Sequence, residues 1–314
     1  MEKNWHVIDC RYQFPRFAAA FLQVRNGRSI FIENNTNQAL PHLLEALHSH
    51  GAEEKNVDYL IVTHAHLDHA GGTAALAERC PHAVVLAHPK AAKTLIAPER
   101  LIASAKKVYG EDKFFQMYGT IKPLPKERVR EVGDGEVIPW QDISLKFLYT
   151  EGHATHHLCV LDESSQSIFT GDAFGLSYPA LNGVHPFHIP STSPVDFNYA
   201  EAIRAIDLIE ATQAKTAYLT HYGPVSDISE RAQLLRKHLL VHVNFINECE
   251  EMKIPDSQVE SMILKNLSKY FEEELKACGI QITEEVRSLL KMDLELNAAG
   301  LAVSCLRKRK QAAC

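Results

Sequence analysis

The segment Thr63-His64-Ala65-His66-Leu67-Asp68-His69 gathers three imidazoles and one carboxylate between His64 and His69. Imidazole nitrogen and carboxylate oxygen are the ligands of zinc and of other borderline or harder divalent cations. Three further groups of the same chemistry follow. His153 lies in Glu151-Gly152-His153-Ala154-Thr155-His156-His157, Asp172 closes Phe169-Thr170-Gly171-Asp172, and His221 follows Thr220. A polar loop that happens to contain histidine would account for His64 and His66 alone. It does not account for four such groups, each just past a short apolar run.

Those runs predict the elements that position the groups. Val57–Thr63 is a nearly continuous apolar stretch that points into the first cluster, and such a run suits a buried strand. The stretch from His69 to Cys80, opened by Gly71-Gly72, predicts a helix. Ser144–Tyr149 precedes His153, Ser167–Thr170 precedes Asp172, and Thr216–Thr220 precedes His221; each predicts a strand. Ligand sites of α/β proteins gather at the carboxyl ends of strands. Trp5–Arg11, Ala18–Val24 and Ser29–Ile32 predict three opening strands, with an Asn26-Gly27 hairpin turn between the last two. Leu40, Leu43, Leu44 and Leu47 give a helical stripe ended by Gly51. Further strands are expected at Ala83–Ala87, Glu136–Pro139 and Leu158–Leu161, and helices over about 89–118 and from Val195 to Glu210. Two successive blocks, each holding both element types, fit an α/β protein of two stacked sheets covered by helices.

From Asp227 onward every periodicity is helical. Pro255 breaks the first helix, Ser257-x-x-Glu260 predicts a capping box for the second, and Gly279 predicts its end. Two shorter helices, Glu284–Lys291 and Leu294–Arg307, are expected to close the chain.

Bulk composition narrows the class. The chain has 314 residues, 46% hydrophobic and 23% charged, with a formal net charge of −6. That suffices for one large core, or one core and a small second domain. A net negative chain argues against a nucleic-acid groove, which needs clustered cations. Arg307, Lys308, Arg309 and Lys310 are expected instead to complement a helix dipole. The seven cysteines are widely spaced, with no C-x-x-C pair, which predicts reduced, mostly buried thiols of a cytoplasmic protein. No signal-peptide pattern opens the chain, and no apolar run approaches the roughly 18 residues of a membrane span.

The order His64-x-His66-x-Asp68-His69, Gly152-His153, Gly171-Asp172 and Thr220-His221 resembles the metallo-β-lactamase superfamily over roughly residues 5–225. The resemblance implies a four-layer αβ/βα sandwich in residues 1–225, followed by an all-helical extension, residues 226–314. It implies two divalent metal ions, zinc foremost, with iron or manganese as alternatives. His64, His66 and His153 would hold the first metal, Asp68, His69 and His221 the second, and Asp172 would bridge them. A metal-bridging hydroxide would be the nucleophile, with Asp68 as the catalytic residue that orients it. One departure stands out. Many members carry an Ile-Asp-Thr-Gly turn after an early strand, where this chain reads Phe31-Ile32-Glu33-Asn34-Asn35.

The function implied is hydrolysis of a small-molecule ester, thioester or lactone. The alternatives are a diiron redox or oxygen-binding protein related to flavodiiron proteins, and a nuclease. Flavodiiron relatives usually carry a carboxylate where this chain has His66, together with a flavin domain. One branch of nucleases inserts a large domain between the ligands that correspond to Asp172 and His221, which are close in this chain. Substrate contacts are expected from His156, Tyr178, His185, His188 and Tyr222, since loops near the strand ends form substrate walls. Alternatively, His157 merely opens its strand and His156 is exposed. No nucleic-acid or membrane partner is expected, and a homodimer is the favoured assembly.

Overall fold

The computed structural model describes residues 5–192 and 196–312. They form two compact units. One comprises Met1–Tyr149, His156–Gly171 and Ala214–Ser226, and the other Thr150–Thr155, Asp172–Gln213 and Asp227–Cys314.

The first unit holds two six-stranded mixed sheets. One contains, in spatial order, β1 (His6–Asp9), β2 (Ala19–Arg25), β3 (Arg28–Ile32), β4 (Val57–Ile61), β5 (Val84–Ala87) and β6 (Val129–Glu131). The other runs from β7 (Val137–Trp140) through β8 (Ile143–Tyr149), β9 (Leu158–Asp162), β10 (Ser167–Gly171) and β11 (Thr216–Leu219) to β12 (Gly223–Val225). In β3 the side chains of Ile30 and Ile32 join a core shared with Phe147, Val160 and Phe169 of the second sheet. Phe31, pointing the other way, joins Leu43 and Leu47 of helix α1 (Leu40–Ser49). This alternation, repeated by Phe21 against Leu22, is the period of two that lets one sheet bury a face on its partner and a face on helices.

The Asn26-Gly27 hairpin forms as expected, with φ of 50° and 74° at its two residues, the left-handed pair that a two-residue turn requires. The expected helix from His69 to Cys80 is instead two helices, α2 (Leu67–Ala70) and α3 (Thr73–Arg79). Gly72 explains the break. A Cβ there would lie 2.7 Å from the Thr36 carbonyl oxygen, and the Gly72 N–H donates to Asn35 O at 2.7 Å, so the chain presses against the turn after β3. The 89–118 stretch divides at Pro98 and Gly110 into α4 (Pro89–Ile96), α5 (Glu99–Tyr109) and α6 (Glu111–Tyr118). Strands β6 and β12 have only three residues each, too few to show a pattern in the sequence.

The second unit holds α7 (Tyr199–Ala211), α8 (Ile228–Glu251), α9 (Asp256–Ala277) and α10 (Glu284–Ala312). Val195, where the first of these was expected to begin, lies outside the described residues. Asn198 is its N-cap, accepting from Glu201 N. The expected capping box at Ser257 is absent: α9 starts at Asp256 after Pro255, with no side-chain cap. The two closing helices are one, because Asp293 and Asn297, which interrupt the apolar stripe, are buried and internally bonded. In the last turn of α10, Arg309 bonds to Glu250 and Asp256. All six described cysteines are buried thiols.

Two buried histidines on α8 give a pH-dependent expectation. Burial pushes His242 down to about 3 and His238 down to about 4. Neither His242 ring nitrogen has a hydrogen-bond partner in the structure. An unfolded histidine titrates near 6.5, so the unfolded chain binds protons first as pH falls. The stability these neutral rings contribute is therefore full above pH 6.5 and lost below it, towards their folded values. His242→Leu is expected to cost no stability at pH 8 and to flatten the fall in unfolding temperature between pH 6.5 and 4. An unchanged pH profile in thermal denaturation would refute this role.

Candidate metal centre

In the first unit, β4 delivers the chain into the histidine loop, and Glu33, Asn34 and Asn35 hold the loop still. Glu33, fully buried at φ 65°, accepts from Thr63 N through Oε1 at 3.0 Å and reaches His69 Nδ1 through Oε2 at 3.0 Å. The N–H groups of Asn34 and Asn35 both donate to His69 O. Asn35 Nδ2 donates to Asp68 O at 2.7 Å. The turn that departs from the family pattern is thus a clamp on the first cluster.

His221, past the end of β11, is fixed from a different direction. Its Nδ1 lies 2.8 Å from Phe17 O. A carbonyl can only accept, so Nδ1 carries the proton and Nε2 presents its lone pair, the form that binds a cation. The Glu33 carboxylate imposes the same tautomer on His69. His221 Nε2 lies 3.5 Å from Asp68 Oδ2, and His69 Nε2 lies 3.9 Å from the same oxygen. The ligand atoms of Asp68, His69 and His221 all lie within 4.8 Å of one another. Beside them His64 Nδ1 meets Thr63 Oγ1 at 3.1 Å, and His64 Nε2 meets His66 Nδ1 at 3.0 Å. The donor set, with outer nitrogens tied to acceptors and inner ones converging, fits a divalent metal.

In the second unit His153 and Asp172 form a pair, with Nε2 and Oδ2 3.6 Å apart. His153 Nδ1 is held by Ser191 O at 3.2 Å, and Ser191 Oγ donates to Asp172 Oδ2 at 3.1 Å. The logic of His221 is repeated: a main-chain carbonyl sets the tautomer.

The expected substrate residues divide. His156 Nδ1 accepts from Ala65 N at 3.3 Å, and its ring stands edge-on to His66, so it braces the histidine loop. His157 is fully buried, 4.8 Å ring to ring from His64, and leads into β9. Tyr178 is buried and donates to Asp293 Oδ2 at 2.9 Å. His188 is buried between Phe174 O and the Arg231 guanidinium; burial, reinforced by Arg231, pushes it down to about 3. Tyr222 packs on the core between the sheets, and His185 is exposed. Three tyrosines escaped the sequence pattern. The hydroxyls of Tyr12 and Tyr118 lie 3.4 Å apart, and the Tyr109 ring lies 6.0 Å from that of Tyr118. Burial and then the Asp68 carboxylate raise Tyr12 and Tyr109, and burial, Tyr12 and Asp68 raise Tyr118, which keeps all three as neutral donors.

Residues 29–221, more than half of the chain, match the family described as the metallo-β-lactamase superfamily. The chain belongs to the metallo-β-lactamase superfamily. A metallo-β-lactamase fold-containing protein of Sulfurisphaera tokodaii is 29% identical over 72% of this chain and 79% of its own length. An archaeal superfamily crystal structure from Sulfolobus tokodaii superposes with a TM-score of 0.66 at 23% identity, covering 96% of this chain and 99% of the other. This likeness shows the αβ/βα fold with its helical extension. Shorter matches reach two proteins named as hydrolytic enzymes. An atrochrysone carboxyl ACP thioesterase of Aspergillus chevalieri is 27% identical over 44% of this chain and 34% of its own length. A hydroxyacylglutathione hydrolase of Francisella philomiragia is 27% identical over 41% of this chain and 38% of its own length. Metallo-β-lactamase superfamily members typically bind metal ions, and this chain presents candidate His and Asp groups for them. Among the described residues, no helix is long and apolar enough to cross a membrane.

Proposed function

We propose that this metallo-β-lactamase superfamily member is a dinuclear metal-dependent hydrolase of a small ester, thioester or lactone. The convergence of Asp68, His69 and His221, each imidazole fixed from behind by Glu33 or by Phe17 O, carries the proposal. His64, His66 and His153 are assigned to one ion, Asp68, His69 and His221 to the other, and Asp172 to both, with zinc as the metal. When bound, the metals supply Lewis acidity and lower the pKa of water towards neutrality, so that hydroxide is available as nucleophile. With the metals bound, Asp68 would accept a hydrogen bond from the attacking water and orient it towards the substrate carbonyl. Glu33 and Phe17 O hold the two imidazoles in the tautomer that leaves Nε2 inward. His156 keeps the histidine loop from shifting through Ala65 N. The names of the thioesterase and the hydroxyacylglutathione hydrolase favour an acyl substrate, and thioesters rank first on that ground.

The test is a panel of short-chain thioesters, esters and lactones assayed with and without chelation. Turnover of at least one class, lost on chelation and restored by zinc, is expected. Chelator-insensitive turnover, or none across the panel by protein carrying its full metal content, would overturn the proposal.

A further inference from the structure

The helix α10 carries two buried polar residues four positions apart, Asp293 and Asn297. That spacing puts them on one face of the helix. They hold the two arms of the segment that follows Asp172. Asp293 Oδ2 accepts from the Tyr178 hydroxyl at 2.9 Å. Asn297 uses both sides of its amide. Its Oδ1 accepts from Thr192 N at 2.7 Å and from Thr192 Oγ1 at 3.0 Å, and its Nδ2 donates to Pro190 O at 2.9 Å. Its main-chain carbonyl also accepts from Thr192 Oγ1, at 3.1 Å. The two arms pair with each other through Leu176 N to Ile189 O at 2.8 Å and Ile189 N to Leu176 O at 3.1 Å.

Ser191 lies between the two residues that Asn297 grips. Its carbonyl sets the tautomer of His153, and its hydroxyl donates to Asp172. A buried amide costs free energy unless its donors and acceptors are used. Here they are used on the main chain on either side of Ser191, which touches both His153 and Asp172. We infer that Asn297 is a positioning residue for these two metal ligands: by clamping Pro190 and Thr192 it fixes Ser191, and Ser191 fixes both. The inference rests on the metal centre proposed above and makes the helical extension a structural part of it. Outer partners that orient ligands typically change metal affinity by about 10- to 100-fold.

The test uses full-length protein stripped of metal and titrated with cobalt(II), whose visible absorption reports ligand geometry. Asn297→Leu is expected to weaken binding by about 10- to 100-fold and to shift the absorption bands. Thr192→Val, which removes one hydroxyl and leaves the Thr192 N–H in place, is expected to weaken it to a smaller degree. It carries the test alone if the first variant does not fold. Leu267→Ala, a buried apolar truncation in α9, is expected to lower the unfolding temperature yet bind cobalt like the wild type. Wild-type affinity and spectrum in the Asn297 and Thr192 variants would overturn the inference, as would equal weakening in the Leu267 variant. Wild-type protein that takes up no cobalt would overturn the metal centre itself, and this inference with it.

Discussion

Asp68→Ala is expected to lower hydrolysis by well over a hundredfold while leaving the protein folded. Removal of a partner that merely orients a ligand costs about 10- to 100-fold. Asp68 is placed to do more, since its Oδ2 faces both His69 Nε2 and His221 Nε2. The substitution should spare the fold, because the Asp68 side chain is 26% exposed. Its contact with Asn35 runs through the main-chain carbonyl, which alanine keeps. Turnover and metal content measured on the same preparation check this. Full turnover with metal content intact would remove Asp68 from the machinery.

Glu33 offers the second large effect, and two substitutions separate its roles. Glu33→Ala strands two buried partners, Thr63 N and His69 Nδ1. An unsatisfied buried group costs about 1–3 kcal/mol, so both stability and metal binding should fall. Glu33→Gln is nearly isosteric and still offers an oxygen to Thr63 N, but it turns an amide N–H₂ towards His69. His69 Nδ1 must then accept, its proton moves to Nε2, and the lone pair aimed inward is lost. Glu33→Gln is therefore expected to unfold near the wild-type temperature and to bind metal about 10- to 100-fold more weakly. Denaturation midpoints and metal titrations compare the two effects. Parallel losses in both measurements for Glu33→Gln would show that the carboxylate supports the fold only.

The contrast between Asp68 and Glu33 shows what the sequence carries. Asp68 could be singled out because it stands in sequence among His64, His66 and His69, at the end of one apolar run. Glu33 acts on His69 from 36 residues away, through a backbone turn with positive φ, and no local spacing reports such a contact. Ser191 and Phe17 were harder still. They act on His153 and His221 through main-chain carbonyls, and every residue has one. The same distinction explains the substrate residues. Tyr178 and His188 lie in the expected loop, but polar side chains in a loop that packs on helices spend their hydrogen bonds internally. The break expected near Met292 in α10 has the same origin, since Asp293 and Asn297 look like solvent-facing residues until their buried partners are known. The strands and the two stacked sheets were better marked, because the short apolar runs that form β2, β3 and β4 are local patterns.

The central claim, a hydrolase that depends on two metals, meets its most direct test in zinc titration of chelator-stripped full-length protein, with hydrolysis of a responsive thioester as the readout. The rate is expected to be negligible without metal, to rise with added zinc, and to level off at two equivalents per chain. A stripped protein with undiminished activity, or a rate complete at one equivalent, would contradict it.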